Sequence, residues 1–273
     1  WVIVTAQEEM DSVLGGMSKQ QTSDFSKIQD RFKTRMKLTS QNVDEVIQKR
    51  LLKKNTTGES YCQDLYGKEK NNFGTLFDFT DGATKYRGFR DEQDFVNGYP
   101  FIPYQFPLFQ QAIEALSLHN AFEGQHRSVG ERSMLGVFQQ VAIDISQQNV
   151  GELATFDRMY KGLHAALKAQ MQRSILLAEK HLDSDFAKRV LKALFLVKYV
   201  KGFNATPRNL RVLLQERFDQ DVAVLRKEVE EALALLEQQT YIQRNGETYE
   251  YLTEDEKDIE QEIKSTNIDS GDT

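Results

Sequence analysis

The chain has 273 residues, 40% of them apolar and 28% charged, with 35 basic against 41 acidic side chains. That length suits two compact domains or three small ones, and four prolines in so charged a sequence point to a helix-rich protein. The longest purely apolar run, residues 193–197, is far too short to cross a bilayer, so a membrane-spanning role is excluded. A single cysteine, Cys62, leaves no intramolecular disulfide framework and no cysteine-based zinc site, and it fits a reducing, cytoplasmic compartment.

Residues 1–5 (WVIVT) form a short β-branched run that predicts a buried strand with no leader before it, so the sequence reads as the C-terminal part of a larger protein. Residues 25–31 predict a short helix and 34–38 (TRMKL) a second strand. Val43, Val46, Ile47 and Leu51 fall on one face of a helix over 41–54, with Ser40 as its cap. Residues 55–98 hold six of the 16 glycines and eight aromatics. That mixture predicts an irregular insertion with short helices, held by aromatic anchors. Helices follow at 106–118 and 131–148, the second with Met134, Val137, Phe138, Val141 and Ile145 inward.

From 153 onward the spacing is helical until the end. Phe156, Met159, Leu163, Leu167, Met171, Ile175 and Ala178 predict one long helix over 153–182. Further helices are expected at 185–201, at 208–216 after the Thr206-Pro207 start signal, and at 221–239. Alternating residues on either side of Asn245-Gly246 predict a hairpin turning there. Three helices followed by a hairpin is the order of a winged helix. Charge is uneven along the chain: 27–54 carries nine basic residues against three acids, and 253–273 eight acids against two lysines. The basic run reads as a solvated face or an anion-facing surface, and the acidic end as a short helix fraying into a tail.

No GxxxxGK[ST] phosphate loop occurs in these residues. His119, His126, His164 and His181 are too scattered for a helix-borne metal pair, so no metal site is expected. The order strand, polar tip, Arg-Phe helix, strand, helix resembles the back half of an AAA+ ATPase core. VIVTAQEE looks like the sensor 1 strand, with Gln7 at its polar tip. KIQDRFKTRMKL resembles the arginine-finger helix and its following strand, with Arg31 as the finger. NVDEVIQKRLL looks like the first lid helix, and SVGERSML the sensor 2 segment, with Arg132 as the nucleotide-contacting sensor. A planar guanidinium suits the charge developing on a γ-phosphate, and a polar strand tip can orient water. Other readings stay open at this point: Arg31 as a surface arginine paired with Asp30, Gln7 as a polar strand end, Arg132 as a helix-face ion pair.

Longer stretches (KIQDRFKTRMKLTSQNVDEVIQKRLL, YPFIPYQFPLFQQAIEALSLHNAFEG, HRSVGERSMLGVFQQVA and QTYIQRNGETYEYLTEDEK) are similar to the large P-loop ATPases of BREX phage-exclusion systems, the BrxC/PglY type. The resemblance implies a mainly α fold: remnant strands of the AAA+ core over 1–40, a helical lid over 41–150 with the 55–98 insertion, a winged-helix domain over 151–252 and an acidic tail. It implies ATP and Mg²⁺ held mainly by upstream residues, a homo-oligomer in which Arg31 reaches a neighbour's nucleotide, and work with other antiviral components such as a methyltransferase. Two other functions compete: a non-catalytic interaction module of the same complex, and a DNA-binding loader resembling origin-recognition ATPases. Residues 203–252 carry six basic residues and nine acids, which opposes DNA reading and leaves Arg244 at the wing as a lone candidate contact.

Overall fold

The computed structural model describes residues 43–79, 85–123, 131–259 and 262, with residues 131–133 by backbone alone. The strands expected at 1–5 and 34–38, and the helix at 25–31, lie outside the described residues. What is described is mainly α, with one two-stranded antiparallel sheet.

Helix α1 (Val43–Val46) runs on into a π turn at Ile47–Leu51, and Ile47 is fully buried. The segment read as irregular contains a 14-residue helix, α2 (Thr56–Glu69), started by Asn55, whose side chain accepts from the Gly58 N–H. Only Cys62 of α2 is buried, so the helix has no apolar stripe for periodicity to reveal. A 3-10 turn leads to α3 (Phe73–Leu76), and α4 (Glu92–Gly98) is capped by Asp91. The aromatic anchors expected of this segment are present. Phe73, Phe89, Phe95, Tyr66 and Tyr99 pack ring against ring, with Phe73 and Phe95 stacked at 5.6 Å.

Helices α5 (Gln105–Leu118) and α6 (Glu131–Asp144) extend this layer, and Phe106 stacks on Phe138 at 4.8 Å between them. The long helix expected over 153–182 is instead broken. It comprises a 3-10 turn, α7 (Met159–Leu163), a second 3-10 turn and α8 (Ala169–His181). The break is fixed at Leu167, which bridges to Phe122, while Lys168 N–H donates to the Ala121 carbonyl. All seven stripe residues are nonetheless buried, because a 3–4 spacing reports which side faces the core and not whether the helix is continuous.

The order of three helices and a hairpin is as read. Helix α9 (Asp185–Val197) starts at Ser184, α10 (Pro207–Leu213) at Thr206 with Pro207 in its first turn, and α11 (Val222–Gln238) at Asp221; each cap side chain accepts a backbone N–H from the first turn. Strand β1 (Ile242–Asn245) pairs with β2 (Thr248–Tyr251), and the Tyr249 N–H donates to the Ala205 carbonyl, adding a one-bond stub of a third strand. The turn sits one residue later than expected. Asn245 pairs with Thr248, so Gly246 and Glu247 form the loop, and Gly246 takes φ +63° at its first position, where glycine relieves the steric cost. One hydrophobic core runs from Ile47 to Tyr251 through both the aromatic layer and the C-terminal helices with their hairpin.

Candidate functional site

Gln7 and Arg31 lie outside the described residues. Arg132 occupies the first turn of α6, described by backbone alone. The arrangement of these three side chains thus lies outside what is described. Arg244, the fourth expected contact, is described and sits at the end of β1 beside the turn. Its Nε donates to the Gly246 carbonyl at 2.9 Å, and its guanidinium lies 5.7 Å from the Tyr249 ring centre. This wing arginine is folded back on its own hairpin.

The outward face of α11 follows from the phase of its buried residues. Leu225, Val229, Ala232, Leu233 and Leu236 point to the core, leaving Arg226, Lys227, Glu228, Glu230 and Glu231 exposed. Both cations are matched one turn on: Arg226 to Glu230 at 2.8 Å and Lys227 to Glu231 at 3.5 Å. Such exposed pairs contribute little stability, but they neutralise the only positive charges on the helix. What remains uncompensated is acidic.

The buried charges lie elsewhere, and sequence reasoning missed them. Lys198, at the end of α9, has a side chain only 1% exposed; its Nζ donates to the Tyr251 carbonyl at 2.6 Å and pairs with Glu250 at 3.1 Å and Glu256 at 2.8 Å. The ammonium thereby joins the hairpin to the short helix over 254–259. Burial pushes the Glu256 carboxyl up, but hydrogen bonds from Lys198 and the Thr253 N–H, with the Lys198 charge, outweigh it and hold it below the usual range. A signal was available: Lys198 lies four residues after Leu194 and three after Phe195, on the buried side of its helix.

Arg211 on α10 is the second buried cation. Its Nη1 donates to the Leu76 carbonyl at 3.1 Å and Nη2 to the Thr75 carbonyl at 3.3 Å, with Gln215 Oε1 at 3.4 Å. Arg189 on α9 donates to Asp157 and Thr155 and also pairs with Glu216, tying the start of the 153–182 segment to the end of α10. Elsewhere, burial lowers the Lys54 ammonium to about 8, opposed by the nearby Cys62 thiol. That lysine donates to the Tyr99 carbonyl at 2.6 Å.

A cleft of about 140 Å³ opens between the hairpin and the α9–α10 connection, lined by Lys198, Phe203, Asn204, Asn245, Thr248 and Glu250 among others. That is smaller than the roughly 300–1,000 Å³ of typical small-molecule sites. Among the described residues no group of three His, Cys, Asp or Glu side chains is arranged to hold a metal ion, and no helix is long and apolar enough to cross a membrane. No family model matches the chain, and no solved structure matches it significantly.

Proposed function

We propose that this chain is the sensor, finger and lid portion, with an attached winged helix, of an AAA+-like ATPase in bacterial antiviral defence of the BREX type. In this reading the winged helix docks a protein partner and does not read DNA. The reading draws on the long sequence stretches given above and on the order of a helical layer followed by a winged helix. The observation that carries the docking role is the state of the cations on the wing and α11. Arg226 and Lys227 are spent on Glu230 and Glu231, and Arg244 on its own turn. A polyanionic duplex would meet an acidic helix and a wing whose cations are already engaged.

Under this proposal ATP and Mg²⁺ sit mainly on a phosphate loop carried by a longer cytoplasmic protein. Arg31 reaches a neighbouring subunit's γ-phosphate in a homo-oligomer, Gln7 orients water, and Arg132 contacts nucleotide from the lid. Partners are other defence components such as a methyltransferase, with DNA touched indirectly. The test measures ATP binding and hydrolysis separately in the longer protein, unaltered and Arg31→Ala, while following assembly size. Retained binding and assembly with hydrolysis lowered by ~10³ or more supports the finger. Unchanged hydrolysis overturns it, and absent hydrolysis in both leaves the non-catalytic docking module as the function. Duplex binding by this chain at low salt, weakening steeply as salt rises, would overturn the docking role.

A further inference from the structure

We propose that Arg211 is a coupling pin that makes the aromatic-rich segment 56–98 and the winged helix one rigid body, so that any rotation of the helical layer carries the wing hairpin through the same angle. That the rotation is driven by nucleotide rests on the function proposed above; the rigidity itself does not.

Two kinds of contact join the regions. The first is apolar. Phe218, which follows α10, enters the aromatic cluster within 5.6 Å of Phe73, 5.9 Å of Phe95 and 6.2 Å of Phe77, ring centre to ring centre. On the other side, Phe79 and Tyr86 lie 6.0 Å from Phe203. Burial of this kind is strong but non-directional, and the preferred ring geometries add only a small further gain per pair. It holds the regions together while constraining their angle less tightly than paired hydrogen bonds do.

The second kind is directional. The guanidinium of Arg211, a residue only 3% exposed, reaches across to the last turn of α3, where carbonyl groups have no intrahelical donor. It serves both Thr75 and Leu76 with the two ends of one planar fork. Its hydrogen bonds go to carbonyl and amide oxygens, so a shift of an ångström or two would strand either a buried cation or two buried carbonyls. Tyr104 supports the same alignment, its hydroxyl donating to the Val212 carbonyl at 3.1 Å beside the pin. At the rim, Arg208 pairs with Asp78 at 2.8 Å, but both side chains are half exposed, so this bridge contributes little to the register. The aromatic rings supply adhesion and Arg211 the angle.

The test places spin labels at Lys68→Cys on α2 and Glu247→Cys on the wing turn, both exposed, in a Cys62→Ala background of the 273-residue chain. Pulsed dipolar spectroscopy then reads the width of the distance distribution between them. A single narrow distance is expected with Arg211 intact. Arg211→Met roughly doubles the width, because adhesion survives and register does not; Arg211→Lys, which keeps the charge but not the fork, falls between. Arg208→Ala leaves the width unchanged. A broad or two-peaked distribution with Arg211 intact overturns the proposal, as does an unchanged width in Arg211→Met. If Arg211→Met does not fold, the intact chain and Arg211→Lys still decide. None of these measurements involves nucleotide, so failure of the ATPase reading and failure of the pin are separately visible.

Discussion

The aromatic segment and the C-terminal helices with their hairpin bury their apolar groups into the same core by opposite means. The C-terminal helices do it with patterned aliphatic residues: α11 turns one face of Val, Leu and Ala inward, α9 buries a stripe that widens to all of residues 193–197, and local caps mark where each helix starts. The segment over 56–98 does it with a few large rings at irregular spacing, on helices that are short or largely exposed. Regular stripes fix geometry through many small contacts. Scattered rings need a separate device to fix it, and Arg211 is placed to be that device. The charges follow the same division. Lys198 beside the hairpin is held by two carboxylates and the Tyr251 carbonyl, whereas the hydrogen bonds of Arg211 between the regions go to uncharged oxygens alone.

The largest expected effect tests whether the two regions are thermodynamically one. Phe95, fully buried and ringed by Tyr66, Phe73, Phe89, Tyr99 and Phe218, should cost about 3–5 kcal/mol when replaced by alanine. Leu233→Ala on α11, also fully buried, should cost ~2–5 kcal/mol. Urea unfolding followed by both fluorescence and far-UV circular dichroism should show a single transition shifted by either change. Two transitions, each moved by only one substitution, would divide the core.

A smaller effect is expected at the Lys198 clamp. Lys198→Met should cost about 1–3 kcal/mol, since the Tyr251 carbonyl loses its donor while Glu250 and Glu256 can still turn to water. Its pH signature has a definite sign. Glu256 is held below its ordinary value of 4.5, so its contribution is complete above that pH and disappears as pH falls through the lower folded value. Denaturation midpoints between pH 7 and 3 should therefore fall on acidification, less steeply in Lys198→Met. Parallel acid limbs would show that the clamp does not stabilise the fold.

The smallest effects come from a pair of helical glycines with opposite surroundings. A Cβ on Gly162 in α7 would stand 2.7 Å from Val137 Cγ2 and 3.0 Å from its Cα, so Gly162→Ala should destabilise by about 1–3 kcal/mol despite its helical preference. A Cβ on Gly67 in α2 meets nothing within 4 Å, and Gly67→Ala should stabilise by ~0.5–1 kcal/mol. Thermal melts of the two variants should move in opposite directions. Movement in the same direction would mean that α6 and α7 do not approach as closely as described.

The same contrast explains what the sequence revealed. Helix α11 was expected over 221–239 and spans Val222–Gln238, because stripe, cap and length all agree there. Helix α2 went unseen because 14 residues with one buried side chain carry no period. The stripe over 153–182 named the right buried residues and the wrong element, since 3-10 turns preserve the facing of side chains while breaking the helix. For the candidate site the outcome is narrower. Arg244 lies at the wing, as read, but engaged with its own turn; Gln7 and Arg31 fall outside the described residues, and Arg132 is described by backbone alone. Lys198 and Arg211 escaped because a cation is first read as a surface residue, and the carboxylates and backbone carbonyls that show otherwise lie 52 or more positions away.

The hairpin has a further consequence for the behaviour of the protein in concentrated solution. Its strands are four residues long; β2 is flanked on one side by β1 and on the other by the single bond from Tyr249 to Ala205. Among the described residues no further strand pairs with β1, whose last side chains before the turn are Arg244 and Asn245. An edge this short, with a charged side chain near its end, gives a foreign strand few hydrogen bonds to grip. The sheet is therefore poorly suited to template fibrils, even though its inner face is anchored by the fully buried Tyr251.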